Sequence, residues 1–550
     1  MEGQSDVGTK TDAPDRRGFL GGLAGAAGAA VLAGSAAAPR TVEARGFDPR
    51  HLFHTYRERL GEAVRLRSRL AFELYRRGLV PHPHNGDEDR YPDRSGSFHK
   101  ALPHNANGEV EPEAYRAYLR AIHCGAFDAF ERIPKGGDRG LVSPLAGLAY
   151  NLEGPDVSQF TMRPAPALAG AEAAGEMVEV YWMACLRDVP FTAYGSDPGV
   201  AAACDDLSAL SDFRGPKVGG DVTPATLFRG DNPGDLNGPY VSQFLLRDFI
   251  MGSVPISGRQ RTVAAGLDYG TTFPSYLSIQ NGVNPGPAVY DATPRYIRNG
   301  RDLAEWVHND ALFQSAFFAA LFLLGLGAPF APGLPYVSAR MQEGFATFGG
   351  AHLFALLGQA SGLALKAAWF QKWYVHRRLR PEAFGGLVHL TLAGTKEYPV
   401  HEEVLESGAV ARIYDKFGTW LMPLVFPEGS PTHPAYPAGH STFVGTAVTV
   451  CKAFFDESWM IPDPVVPNAD GTALVPYSGP PMTVGGELNK LASNIAQGRN
   501  FAGIHYRTDA TEGFKLGEEL VIALLQEWKH TWKEPVRFRF TRFDGRRVEI

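Results

Sequence analysis

The chain has only four cysteines in 550 residues. Cys124, Cys185, Cys204 and Cys451 lie far apart, with no CxxC pair among them. That excludes a zinc framework and a dense disulfide scaffold, and leaves room for one or two disulfides. Positive charge is not in excess: 53 Lys and Arg against 59 Asp and Glu give a net charge of −6. Nucleic-acid binders are usually basic, so no nucleic-acid partner is expected. No internal repeat is evident. Long hydrophobic runs are also missing, since a membrane span needs about 20 apolar residues. The most apolar run, 311–326, contains Gln314 and Ser315 and is closed by Gly325, Gly327, Pro329 and Pro332. It predicts a buried central helix and no membrane span.

What is present is a globular composition, 44% hydrophobic and 20% charged. With 62 glycines and 41 prolines, it calls for many ordered loops. Apolar residues recur at helical spacing over 48–80, 113–132 and 171–187. The same spacing predicts helices over 340–358, 362–378, 484–498 and 505–528, and one beginning at Ser441. Strand signals are few and short. Residues 81–112 read as a polar loop, and 205–300 as ordered loop with a hairpin. Within the first of these, His82, His84 and Asp87-Glu88-Asp89 hint at a metal loop but read better as a solvated one. The fold class is therefore all-α, a large helical domain with long loops.

The N-terminus has the composition of an address. Arg16-Arg17 precede a Gly/Ala-rich, weakly apolar stretch over 20–34, which ends in Ser35-Ala36-Ala37-Ala38-Pro39. Twin arginines, a soft apolar core and small residues in that order match a twin-arginine export signal. Residues 1–38 are expected to be removed, leaving a helical domain over 39–550 in a periplasmic or extracellular location.

Three strings carry chemistry. In 372–382, Lys372, Arg377, Arg378 and Arg380 crowd four positive charges into nine residues, interleaved with Trp373, Tyr374 and Val375. Pro381 biases Arg380 out of helical geometry. Half-buried cations need anionic partners. In 433–443, His433, Ala438, Gly439 and His440 precede an apolar helix. Gly439 and His440 thus fall at a helix N-terminus, where free N–H groups and the dipole favour anions. In 499–509, Arg499 and His505 flank a turn at Gly503, and Asp509 lies one helical turn after His505. Asp509 can orient a histidine or pair with an arginine.

The order Lys-x7-Arg-Pro, Pro-x-Gly-His and Arg-x5-His-x3-Asp resembles the vanadium-dependent haloperoxidases, of the superfamily that includes acid phosphatases. The strings KWYVHRRLRPEAFGG, HPAYPAGHSTF and GRNFAGIHYRTDATEG look most like its bromoperoxidase branch. The resemblance implies two four-helix bundles and a vanadate cofactor. Lys372, Arg380 and Arg499 would hold vanadate oxygens, and Gly439 would donate its backbone N–H. His505 would be the single protein ligand to the metal, His440 the acid–base group and His433 the second pocket histidine. The reaction implied is oxidation of bromide or iodide by hydrogen peroxide to hypohalous acid, which halogenates an organic acceptor. A homodimer or larger homo-oligomer is expected. The family usually places Ser before the glycine, whereas this chain has Ala438, so one hydroxyl donor to the oxoanion is lost. The same residues would suit an acid phosphatase, with His505 as nucleophile, although such enzymes are usually much shorter. They would also suit a non-catalytic binder of vanadate or phosphate.

Overall fold

The computed structural model describes residues 56–550. The export signal proposed for 1–38 lies outside them. Helix Tyr56–Arg77 accounts for the periodicity at 48–80, and the elements below all belong to the compact unit Leu70–Ile550. Among the described residues there are seventeen α-helices and three two-stranded antiparallel hairpins. All four cysteines are free.

Eight helices position the site: α1 (Ala171–Leu186), α2 (Gly300–Trp306), α3 (Gln314–Gly325), α4 (Gly350–Phe370), α5 (Pro381–Leu392), α6 (Gly439–Phe454), α7 (Val484–Phe501) and α8 (Arg507–Trp528). Helix α6 is the central one. Every residue in it except His440 is buried. Phe443, Val444, Ala447, Val448, Cys451 and Phe454 supply apolar area on its faces. Helices α4, α7 and α8 pack around it.

Glycine lets α6 and α8 cross closely. A Cβ on Gly517 would stand 2.3 Å from the Thr442 carbonyl oxygen, and one on Gly513 would stand 2.8 Å from the Ser441 Cβ. This crossing brings the first turns of both helices together, where the Ala438 N–H donates to the Asp509 carbonyl at 2.9 Å.

Several expectations need correction. The two helices predicted over 340–358 and 362–378 are one. Residues 340–349 are loop, because Gly344 and Gly349 bring backbone against backbone. Gly358 and Gly362 do not break α4. Gly358 faces the Phe313 ring, and Gly362 has open space around it. The apolar helix α3 is not fully central. It buries Ala316, Ala319, Ala320 and Leu323 but leaves Phe317, Phe318 and Leu321 half-exposed. Residues 81–111 are mostly loop, as read, with the short helix Asp87–Arg90, but the acidic run within them is not simply solvated. Asp87 is buried and accepts from the Leu168 N–H at 2.8 Å, and Glu88 pairs with Arg377. Among the described residues no cluster of metal-ligating side chains occurs. The 205–300 stretch is mostly loop with the hairpin Phe249–Met251/Val254–Ile256, but Pro198–Ala209, Gln243–Leu246 and Phe273–Gln280 are helical.

Candidate active site

Helix α4 runs into a π-turn, Gln371–His376, that ends at Arg377 with φ +41°. A non-glycine residue in this left-handed region costs about 1–2 kcal/mol. The cost is met by its neighbours: the Arg377 Nε donates to Glu88 at 2.9 Å, and its carbonyl accepts from the Phe98 N–H at 2.8 Å. The wider turn rotates Lys372 inward and frees the chain to reverse. Arg380 then takes an extended conformation before Pro381 starts α5, as the sequence predicts.

The residues predicted for the site come together. Lys372 is fully buried, and its Nζ donates to the Pro434 and Ala435 carbonyls at 2.7 and 2.8 Å. Arg380 is also buried. Its guanidinium donates to the His433 and Ile504 carbonyls at 2.9 and 2.8 Å. It also lies 2.9 Å from His505 Nε2 and 3.0 Å from His433 Nδ1. Arg499, at the end of α7, donates to the Val307 carbonyl at 2.6 Å, and its Nε has no partner among the described residues.

His505 Nδ1 lies 2.7 Å from Asp509 Oδ2. That carboxylate fixes the tautomer with the proton on Nδ1, leaving the lone pair on Nε2. Asp509 fulfils both roles foreseen for it, because its other oxygen accepts from Arg378 at 2.8 Å. Gly439 opens α6 at the predicted place, with Ala438 as its N-cap and no side-chain cap. The buried Ser441 hydroxyl does not replace the missing serine, since its Cβ faces Gly513 of α8.

Sequence reasoning missed four contributors. Asp310 lies 2.9 Å from His440 Nε2 and fixes that ring. It precedes His440 by 130 residues, so no spacing signal points to it. Arg378 bridges Asp509 and Glu176, yet it sits in the cation string without a distinguishing feature. Glu176 on α1 also accepts from the Thr508 backbone and hydroxyl at the start of α8. Trp369 packs against the His433 ring at 4.7 Å between centroids.

The electrostatics identify the missing partner. Burial, then the proximity of Arg380 and Arg499, press the Lys372 ammonium well below its ordinary range. Burial also lowers Arg380 to about 9 and Arg499 to about 10. Burial and the neighbouring cations hold His433 and His505 neutral, well below 6.5. Burial and Arg499 draw His440 down as well, against the opposing pull of Asp310. None of Lys372, Arg380 and Arg499 forms an ion pair with a carboxylate among the described residues; each donates to neutral acceptors. Three buried cations lacking a counter-charge fit a small multivalent oxoanion. The donor set suits vanadate: two guanidinium forks, an ammonium with one N–H to spare, a helix N-terminus, and one imidazole lone pair for the metal.

The chain is similar to several known proteins. Residues 352–534 match the family described as VCPO second helical-bundle domain. A vanadium-dependent bromoperoxidase of Ascophyllum nodosum is 38% identical over 504 residues, covering 87% of this chain and 90% of the relative. One from Corallina pilulifera is 35% identical, covering 86% and 95%. In structure, the chain resembles the homohexameric second vanadate-dependent bromoperoxidase of A. nodosum, with a TM-score of 0.87, 31% identity and 95% of both chains covered.

Proposed function

The chain belongs to the vanadium-dependent bromoperoxidases, and from that premise we propose that its residues work as follows in a vanadate-dependent haloperoxidase that oxidises bromide or iodide with hydrogen peroxide. The observation that carries the reading is the convergence of unpaired Lys372, Arg380 and Arg499 on the lone pair of His505. When bound, vanadate supplies a vanadium(V) Lewis acid that activates peroxide toward halide.

The protein holds that group and moves protons around it. Lys372, Arg380 and Arg499 neutralise its charge, and the N–H groups opening α6 at Gly439 add donors. His505 Nε2 would be the metal-ligating atom. Asp509 keeps the opposite nitrogen protonated, with Arg378 and Glu176 fixing Asp509 in turn. His440 Nε2 is engaged by Asp310, so its Nδ1 is the base that takes a proton as peroxide arrives. Lys372 keeps one N–H beyond its two carbonyl contacts and would offer it to the oxoanion. His433, packed at a tilt against Trp369 and tied to Arg380, closes the pocket wall.

The hypohalous acid formed passes to an organic acceptor. The hexameric relative supports a homo-oligomeric state here too. The Arg16-Arg17 motif supports export through the twin-arginine pathway to the periplasm or beyond.

The test supplies vanadate, peroxide and bromide, and follows bromination of a diketone dye, with nitrophenyl phosphate hydrolysis in parallel. Bromination is expected, and His505→Ala is expected to abolish it. Hydrolysis without bromination after vanadate loading would assign the site to a phosphatase.

A further inference from the structure

Asp310 has two faces. Its Oδ1 holds His440, and the residue is also part of the lining of a separate cavity of about 350 Å³. The carboxylate is 2% exposed, and its Oδ2 has no partner among the described residues. Around the same cavity stand Arg259 and Arg261, with Trp306 and Phe318 as apolar wall. We propose that this cavity binds the organic acceptor and prefers aromatic acids, meaning phenols or other electron-rich rings that carry a carboxylate. The proposal rests on the haloperoxidase reading.

Charge and shape both point that way. Arg259 lies over the Tyr296 ring at 5.2 Å and makes no ion pair among the described residues. Arg261 stacks on Tyr290 at 3.6 Å and makes one 3.7 Å ion pair with Glu305, too long for a hydrogen bond. Stacking holds both guanidinium planes while leaving N–H groups for a carboxylate fork. A third arginine in the wall, Arg247, is already committed. It donates to the Pro462 carbonyl at 2.6 Å and lies over Phe322 at 4.8 Å. Halide alone would need no aromatic wall, whereas an arene acid uses both the forks and the wall.

Because Asp310 both lines this cavity and holds His440, an acceptor bound there would lie one residue away from the site where the oxidant forms. The transfer balances without a further reagent. The ring's electron pair forms the C–Br bond as the Br–O bond of hypobromous acid breaks. The departing hydroxide takes the proton lost from the same carbon and leaves as water.

Binding and selectivity test this separately. Vanadate-loaded protein is titrated with benzoate and with benzamide, followed by ligand-observed NMR. Benzoate is expected to bind about tenfold more tightly, and Arg259→Gln/Arg261→Gln is expected to erase the difference. Equal binding of the two probes, a preference that survives the double variant, or displacement of benzoate by millimolar bromide would each overturn the proposal. If the double variant fails to fold, the exposed single change Arg259→Gln is read in the same way.

In a second arm, 4-hydroxybenzoate and 4-hydroxybenzamide compete in one vessel, and their product ratio is compared with that from reagent hypobromous acid. Enrichment of the acid by about threefold or more, lost in the variant, is expected. A ratio equal to the reagent's overturns acceptor binding. Dye bromination without benzoate binding sinks this proposal alone. Benzoate binding without any bromination keeps the cavity but removes the haloperoxidase reading.

Discussion

Ala438 occupies the one position where the cradle has given up a donor. It caps α6 with its backbone only, while the Thr442 hydroxyl is spent on the Ala438 carbonyl at 3.0 Å and the Ser441 Cβ faces Gly513. Restoring a hydroxyl there adds a hydrogen bond to a charged acceptor, worth about 1.5–3 kcal/mol. Ala438→Ser is therefore expected to tighten vanadate binding by about tenfold or more, measured by equilibrium dialysis. Unchanged affinity would mean that the new hydroxyl caps the helix instead.

His440 allows a signed pH prediction. Its pKa lies below 6.5, so the neutral base persists at pH 6.5 and is lost only as pH falls through the lowered value. The value of kcat/KM for peroxide should hold down to 6.5 and decline below it. Asp310→Asn removes the charge that raises this pKa, so the acid limb should move lower while the maximal rate drops. His440→Ala should cost about 10²–10⁴ in rate. An acid limb centred above 6.5 in the parent enzyme would contradict the assignment.

At the scale of elements, the site depends on how closely two helices cross. Gly517 meets the backbone of Thr442 and Thr446. Gly517→Ala would push α8 from α6 and separate Asp509 from Ala438. Overpacking of this kind costs about 1–3 kcal/mol. A lower thermal midpoint and weaker vanadate binding are expected together; a lower midpoint with unaltered affinity would show that the crossing does not position the site.

The sequence made legible what local chemistry dictates. Pro381 sets Arg380 extended, Gly439 starts α6, and the i, i+4 spacing joins His505 to Asp509. It did not reveal the π-turn at 371–376, because one extra residue per turn leaves helical periodicity almost unchanged. Nor did it reveal Asp310 or Glu176, which join the site through tertiary packing and follow no spacing rule. Helix α3 misled for a related reason: a helix apolar on all sides reads as buried, although its Phe317–Phe318 side is only partly covered.

For the whole molecule, burial of neutral imidazoles has a cost that depends on acidity. His433, His505, His99, His104 and His376 are all lowered by burial, His104 to about 4 and His376 to about 3. Their unfolded counterparts take up protons below pH 6.5 while the folded ones do not, so stability falls as pH falls. Glu176 and Asp235, raised by burial to about 7 and about 6, act in the opposite direction. Protein prepared without vanadate should lose thermal midpoint steeply between pH 6.5 and 4; a flat profile there would show that these rings are solvated.

The carboxylate of Glu176 and the backbone of Thr508 are 332 residues apart in the chain, and their contact braces the turn that carries His505, the proposed metal ligand. Contacts of such high sequence separation must wait for loop closure across most of the polypeptide. Competence to bind vanadate is then a late event in folding. A chain still emerging from the ribosome, lacking 499–509, has only part of the cradle. Vanadate uptake thereby reports completion of the fold; on the export route proposed above, the protein would reach its exporter already able to take its cofactor.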